Sequence, residues 1–426
     1  MLLSVVAAAL SLAFSARGDS PIATNCTNTD YPPCTVALMP IPDQYGSYRI
    51  PNAPGVPRWT EFINSITDNS TYPWTNIPVR NSSNDGGETG GGPNAKGFMW
   101  GQPGNNATEV YDCPAGHIAL SFDDGPALTE DYIALLSANK VIGTFFLIGG
   151  NVVNNPNASI ILNKLVNDGH QIALHTWSHH PVTIWDSDIF ISETVLTAKA
   201  IYDIIGKVPR YWRPPYSSLD DRIRYILYTM GLRPVVWNVE SDDTTIAEPS
   251  AGIPQAENRQ GVLSTVETVY EHVVSSIQAK RDSTWSYFPG YSPDGTNSTY
   301  VGSDTTYKGF VILEHEVYSG EEAAADLIVP WIASNPNYTT TTVNVCDRIM
   351  PNASMYLPDD HYFVQFIKSI TLPLTEDDLN SYSGPVFTPS ASGSTTSATS
   401  TKSGAERVSV GTMIVAFAAV FLFELV

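Results

Sequence analysis

Apolar positions along the middle of the chain follow two alternating periods. Short apolar runs that read as buried strands lie at residues 117–122, 143–148, 171–175, 210–213, 234–239, 310–314 and 341–345. Between most of them lie stretches of helical period: 129–139, 159–167, 188–205, 219–230, 262–278 and 321–333. Strand and helix in alternation imply parallel strands joined by crossover helices. About seven such units suit a closed or nearly closed barrel better than an open doubly wound sheet. No Gly-x-Gly-x-x-Gly follows the first strand, which weakens a dinucleotide-binding reading.

Outside this core the pattern changes. Residues 1–16 are apolar, with small residues at Ala13-Phe14-Ser15-Ala16, and predict a signal peptide, although no Lys or Arg precedes the apolar core. Residues 17–109 show few helical periods and predict an irregular, glycosylated extension whose stretch 81–106 is a Gly- and Asn-rich linker. One compact domain is expected over 110–350 and a C-terminal extension over 351–380. Within the domain, 281–308 is long for a connection and rich in aromatics, Gly and Ser, so it reads as a surface loop near the site. A Ser/Thr-rich linker fills 381–403 and cannot build a core. After it come Ser403-Gly404-Ala405, then Glu406-Arg407, then an apolar tail over 408–426. That order matches a glycosylphosphatidylinositol attachment signal, with attachment at Ser403 and 404–426 removed. A transmembrane helix, the competing reading, would carry Glu424 and no Lys or Arg behind it. Sequons at Asn25, Asn69, Asn81, Asn106, Asn157, Asn297, Asn337 and Asn352 agree with export.

A formal net charge of −21 argues against nucleic acid or anionic membrane surfaces as partners. Such a surface tolerates a neutral polymer and attracts a cationic one. The 4 cysteines suit disulfides in an oxidising compartment, and no Cys-x-x-Cys offers a thiolate zinc site. Cys26 and Cys34 are close enough to close a small loop. Pairing Cys113 with Cys346 would staple the two ends of one domain, contributing up to about 5 kcal/mol on the loop-entropy model. The spacing leaves the other pairings open.

Candidate chemistry collects where the strands end. The first ends in Asp123-Asp124-Gly125-Pro126, the third in His175-Thr176-Trp177-Ser178-His179, and the fourth in Arg213-Pro214-Pro215-Tyr216. The fifth ends in Trp237-Asn238-Val239-Glu240 and the sixth in Leu313-Glu314-His315. Barrel enzymes place their chemistry at such C-terminal ends. Taken alone, Asp-Asp-Gly-Pro is turn chemistry, and adjacent carboxylates resist ionising together in a pocket. A metal relieves that conflict: one carboxylate binds it and the other works beside it as a base. His175 and His179, four apart, can converge on one point as two ligands must, while His180 points elsewhere. Two imidazoles and one carboxylate suit a single divalent ion, zinc best, with cobalt also fitting.

In order and spacing these motifs resemble the polysaccharide deacetylases of carbohydrate esterase family four, the fungal chitin deacetylases among them, over residues 113–346. The resemblance implies an α/β fold, a distorted (β/α)7-8 barrel. It implies metal-dependent hydrolysis of N-acetyl groups from the N-acetylglucosamine units of chitin or partly deacetylated chitosan, with a lipid anchor holding the protein at the outer face of the membrane and wall. Asp123 matches the general base, His315 the general acid, and Asp124, His175 and His179 the metal ligands. Arg213 matches the residue that orients the base, and Tyr216 the residue whose amide helps bind the oxyanion. Leu313 and Trp177 are expected against the substrate.

One motif departs from the family pattern Asp-x-x-Asp-Trp. The chain reads Glu240-Ser241-Asp242-Asp243-Thr244. Glu240 is expected to take over the tuning of the catalytic imidazole, and Thr244 leaves the pocket without the usual Trp wall. The rivals are a non-catalytic wall carbohydrate-binding protein, which should lack the base or a ligand, and an O-deacetylase such as an acetylxylan esterase. A serine hydrolase has no Gly-x-Ser-x-Gly elbow to support it.

Overall fold

A computed structural model describes residues 48–50, 52–77, 109–246, 264–282, 309–351 and 353–380, together with residue 79 and the stretches 39–40, 290–291 and 297–298. These fall in the unit Met1–Tyr382; a second unit, Ser383–Val426, lies outside the described residues. The expected signal peptide, the Gly/Asn-rich linker, most of the loop 281–308, the Ser/Thr-rich linker and the anchor signal with Ser403 therefore lie outside them, as do Cys26 and Cys34. So do the sequon asparagines Asn25, Asn81, Asn106 and Asn352, whereas Asn69, Asn157 and Asn337 are exposed. Among the described residues, no helix is long and apolar enough to cross a membrane.

Eight strands form one sheet: β1 (His117–Gly125), β2 (Thr144–Leu147), β3 (Gln171–Leu174), β4 (Tyr211–Trp212), β5 (Arg233–Pro234), β6 (Val239–Glu240), β7 (Phe310–His315) and β8 (Thr339–Thr341). Every pairing is parallel, in the order β5-β4-β3-β2-β1-β7-β6, with β8 beside the first half of β1. The crossovers are helical, as parallel strands require. The expected single strand over 234–239 is instead two, and they lie at opposite ends of the sheet order. Residues 235–238 alone join those edges, a reach of at most about 17 Å. The sheet therefore curls into a distorted barrel whose gap is spanned by chain. Val110 fills part of it, its N–H bonding Pro234 O and its carbonyl accepting from Val236 N. The last expected strand also shifts. β8 ends at Thr341, and Val343–Cys346 forms a tight turn whose amides are taken by Thr144 Oγ1 and Gln171 Oε1.

Both faces of the sheet are buried, and the period of two sorts them. Ile118, Leu120, Phe122, Phe145, Ile172 and Ile312 face the surrounding helices. Ala119, Phe146, Ala173, Tyr211 and Val311 fill the barrel interior with Cys113 and Cys346, which form a disulfide. By the same alternation Ser121 and Asp123 follow Ala119 inward, His175 follows Ala173, Arg213 follows Tyr211, and Leu313 and His315 follow Val311. One face thus delivers the chemistry of several strands to one end of the barrel.

The expectation of an irregular stretch before Glu109 fails over part of its length. Pro57–Ile66 is a helix, α1, with Pro57 at its first position and Trp59 and Ile63 buried. It packs against the long helix Ser187–Ile205, here α2. Burying two such side chains contributes roughly 3–6 kcal/mol. The C-terminal extension closes over it: Phe366, on the helix Tyr362–Ser369, stacks on Phe62 at 4.3 Å, and Asp378 pairs with Arg58 at 2.6 Å.

Candidate metal centre and its proton-handling flank

Strict alternation would turn Asp124 away from Asp123. A register irregularity between Asp123 and Gly125 prevents this, and Asp124 takes a left-handed φ of 74°. Such a bulge re-aims a side chain, here onto the interior face beside its neighbour. Asn151 Nδ2 holds the Asp124 carbonyl at 2.8 Å. Gly125 is needed for space, because a Cβ there would lie 1.7 Å from Glu316 Oε1.

Asp124 Oδ1 lies 3.3 Å from His175 Nε2 and 3.1 Å from His179 Nε2, and these groups form a buried cluster with metal-ligand spacing. His175 Nδ1 is 2.9 Å from the Arg213 carbonyl, which can only accept. The proton therefore sits on Nδ1, and the Nε2 lone pair faces the carboxylate. That Asp124 oxygen is buried without a hydrogen-bond donor. A lone pair aimed at an orphaned carboxylate oxygen repels it unless a cation lies between, so this donor set fits a divalent metal. Burial alone would raise the Asp124 carboxyl; positive charge on His179, His315 and His175 would outweigh it and hold it well below the usual range, and a bound cation does the same when those rings are neutral.

Asp123 keeps a separate partner. Arg213 Nη1 donates to its Oδ1 at 2.7 Å, while Oδ2 lies 3.6 Å from His175 Nε2. Arg213 is fully buried, and its guanidinium lies 4.0 Å over the Phe146 ring. Burial lowers its pKa and the Asp123 charge opposes that. Arg213 thus fixes Asp123 through its side chain and the His175 imidazole through its carbonyl.

Across β7, in register with Asp123, stands His315. Its Nδ1 is 2.8 Å from Asp243 Oδ1 and its N–H donates to Asp243 Oδ2 at 2.7 Å, while Tyr132 Oη donates to its carbonyl at 2.7 Å. Burial would lower the imidazole, but Asp243 overcomes it and raises the ring well above its ordinary value. Burial pushes Glu314 and Glu316 well above the carboxyl range and Glu321 up to about 8. On this flank burial favours the protonated carboxyls and Asp243 favours the protonated imidazole.

Glu240 is not the partner of His315. Its Oε2 accepts from Trp237 Nε1 at 3.0 Å, and the Trp237 ring lies 5.5 Å from the Arg213 guanidinium. The partner is Asp243, the second Asp of the Asp-x-x-Asp pattern, which the chain retains. Thr244 follows it, its N–H bonding Asp243 Oδ1 at 2.9 Å. Trp177 is corrected as well. Left-handed residues at Thr176 and His179 fold the loop so that Trp177 turns inward, and at 0% exposure it meets core rather than substrate. His180 stands apart, partly exposed, with Ser178 Oγ 2.9 Å from its Nδ1. Tyr216 sits in a tight turn with φ 54°, its ring 4.7 Å from that of His179. Leu313 lies two residues before His315 on the interior face, nearly buried.

Residues 111–235 match the family model for polysaccharide deacetylases. The chain is similar to chitin deacetylase 1 of Cryptococcus neoformans, 28% identical over 242 residues that cover 56% of this chain and 46% of that one. It is 33% identical to the chitin deacetylase of Amylomyces rouxii over 211 residues, 49% of this chain and 41% of that one. With the chitin deacetylase of a Pestalotiopsis species it shares 31% identity over 176 residues, 38% of this chain and 59% of that one. The matched stretches span about half the length of these relatives.

Proposed function

We propose that the protein hydrolyses N-acetyl groups on the N-acetylglucosamine units of chitin or partly deacetylated chitosan. One observation carries this reading. A carboxylate gripped by Arg213 stands between a three-ligand metal set and a proton-loaded imidazole, all on one face at one barrel end. Asp124, His175 and His179 would hold a divalent metal, zinc on the donor set, which would supply an acidified water and polarise the acetyl carbonyl. Asp123 takes the proton as the water oxygen adds to the carbonyl carbon, and Arg213 keeps Asp123 aimed. The Tyr216 amide faces the oxygen that gains charge, and a lost donor of this kind typically costs about 3 kcal/mol. As the C–N bond breaks, His315 gives its Nε2 proton to the departing amine, which leaves acetate and a glucosamine unit. Leu313 takes the acetyl methyl. Amine product carries positive charge, and an acidic protein tolerates it.

Similarity to fungal chitin deacetylases, with the leader-like start and the sequons, supports a secreted wall protein. The small-polar-apolar order after Ser403 supports a lipid anchor. Release from cells by phosphatidylinositol-specific phospholipase C tests the anchor. Retention by the treated membranes contradicts it.

Acetate release from chitin oligomers, partly deacetylated chitosan and acetylxylan, with and without added zinc, tests the activity. Zinc-dependent release from the glucosamine polymers is expected. Release from acetylxylan alone identifies an O-deacetylase, and no release from any of them identifies a binding protein.

A further inference from the structure

Both histidine ligands belong to the loop 175–179, which has no regular structure to hold it. Its main chain needs a frame, because a ligand displaced by an ångström no longer converges. On one side, Gly149 N–H donates to Thr176 O at 2.9 Å and Gly150 N–H to Trp177 O at 3.0 Å. Both approaches are close. A Cβ on Gly149 would meet the Trp177 ring at 2.8 Å, and one on Gly150 would meet Ile50 at 2.3 Å.

The other side is held by a carboxylate buried in α2. Glu193 Oε2 accepts from Trp177 N at 2.8 Å and Ser178 N at 2.9 Å, and Oε1 accepts from Ser178 Oγ at 2.8 Å and Ala53 N at 2.7 Å. The side chain is fully buried. A carboxylate in the middle of an apolar helix face is costly unless its lone pairs are met. Here they are met by main-chain and hydroxyl donors, two of them the amides between the ligands. The donor at Ala53 lies 140 residues away in sequence, and Val56 N bonds the neighbouring Ser192 Oγ at 3.1 Å.

We infer that Glu193 is the positioning residue of the metal centre: it fixes the main chain from which His175 and His179 project and ties that loop to residues 53–56. The inference rests on the metal reading of the site, not on the identity of the polymer. Glu193 touches neither metal nor substrate, so it acts through the loop.

The test is zinc affinity of the full chain, measured by competition with a chromogenic chelator in the absence of substrate. Glu193→Gln keeps size but turns an amide NH2 toward donors that need an acceptor. It should weaken zinc binding about tenfold or more. Glu193→Asp, with both oxygens on a shorter arm, should recover part of that. Ser178→Ala removes a single donor and should cost about two- to threefold. A purely structural role would lower the melting temperature and leave zinc affinity unmoved. Wild-type affinity in folded Glu193→Gln overturns the inference, and if that variant does not fold, wild-type affinity in Ser178→Ala overturns it. A wild-type chain that binds zinc yet releases no acetate defeats the deacetylase reading alone. One that binds no zinc defeats both.

Discussion

The two flanks of the site solve opposite electrostatic problems with similar residues. On the β1–β3 side, carboxylates and imidazole lone pairs crowd together, with the Arg213 guanidinium donating to Asp123. On the β7 side, an imidazole is raised by Asp243 amid carboxyls that burial raises too. The first flank needs a cation to be stable, and the second keeps protons in reserve. Burial alone does not separate them, since both are deeply buried. What differs is the partner of the imidazole: on one side its Nε2 faces a carboxylate oxygen that no donor meets, and on the other its Nδ1 meets Asp243.

The largest expected effect breaks the first flank outright. His175→Ala removes a ligand and the contact to the Arg213 carbonyl. Metal should be lost by elemental analysis, and acetate release should fall by about four orders of magnitude or more. Full metal occupancy in this variant would remove His175 from the centre. Asp123→Asn should instead keep the metal while activity falls about a hundred- to ten-thousandfold, the range of a lost general base. Undiminished acetate release by that variant would sink the assignment of the two aspartates to separate tasks.

The second flank is broken through its pH dependence. His315 is raised above its ordinary value, so it stays protonated as pH rises through neutrality and loses its proton only at the raised value. Its contribution to stability follows the same sign: it is complete below the unfolded value of about 6.5 and is lost as pH rises through the folded one. Asp243→Asn removes the charge that raises the ring. The alkaline limb of kcat should move to lower pH, with activity at the optimum reduced about ten- to a hundredfold. An alkaline limb that stays in place would mean that His315 is not the acid.

Much of this site was legible before any coordinates, for a physical reason. A period of two fixes which residues share a face. Asp123, His175, Arg213 and His315 each follow small or apolar interior positions by two. Strand ends set the rest of their geometry. Residues governed by irregular main chain were less legible. Trp177 reads as a pocket aromatic until the left-handed turns at Thr176 and His179 send it inward. The break between β5 and β6 depends on which distant strand each half meets, and no local pattern carries that. Glu193 was missed because a lone acid in a helical stretch reads as solvated surface. Its apolar flanks, Phe190, Ile191, Val195 and Leu196, were the available signal.

The smallest expected effect sharpens the comparison most, because it concerns the boundary between the flanks. Glu240 and Asp243 compete for one role in the pattern Asp-x-x-Asp. Distance decides between them: Asp243 bonds His315, whereas Glu240 bonds Trp237, whose ring lies near Arg213. Glu240 therefore acts on the metal flank, through an aromatic wall and a guanidinium. Glu240→Gln keeps an oxygen to accept from Trp237 Nε1, so kcat/KM should change by no more than about threefold. The alkaline limb should not move at all, because the charge beside His315 is untouched. A downward shift of that limb would show that Glu240 tunes the imidazole after all and would redraw the boundary. The length of Glu240 also becomes intelligible: it suits the indole N–H of Trp237, and Asp243 is left to do the work at His315.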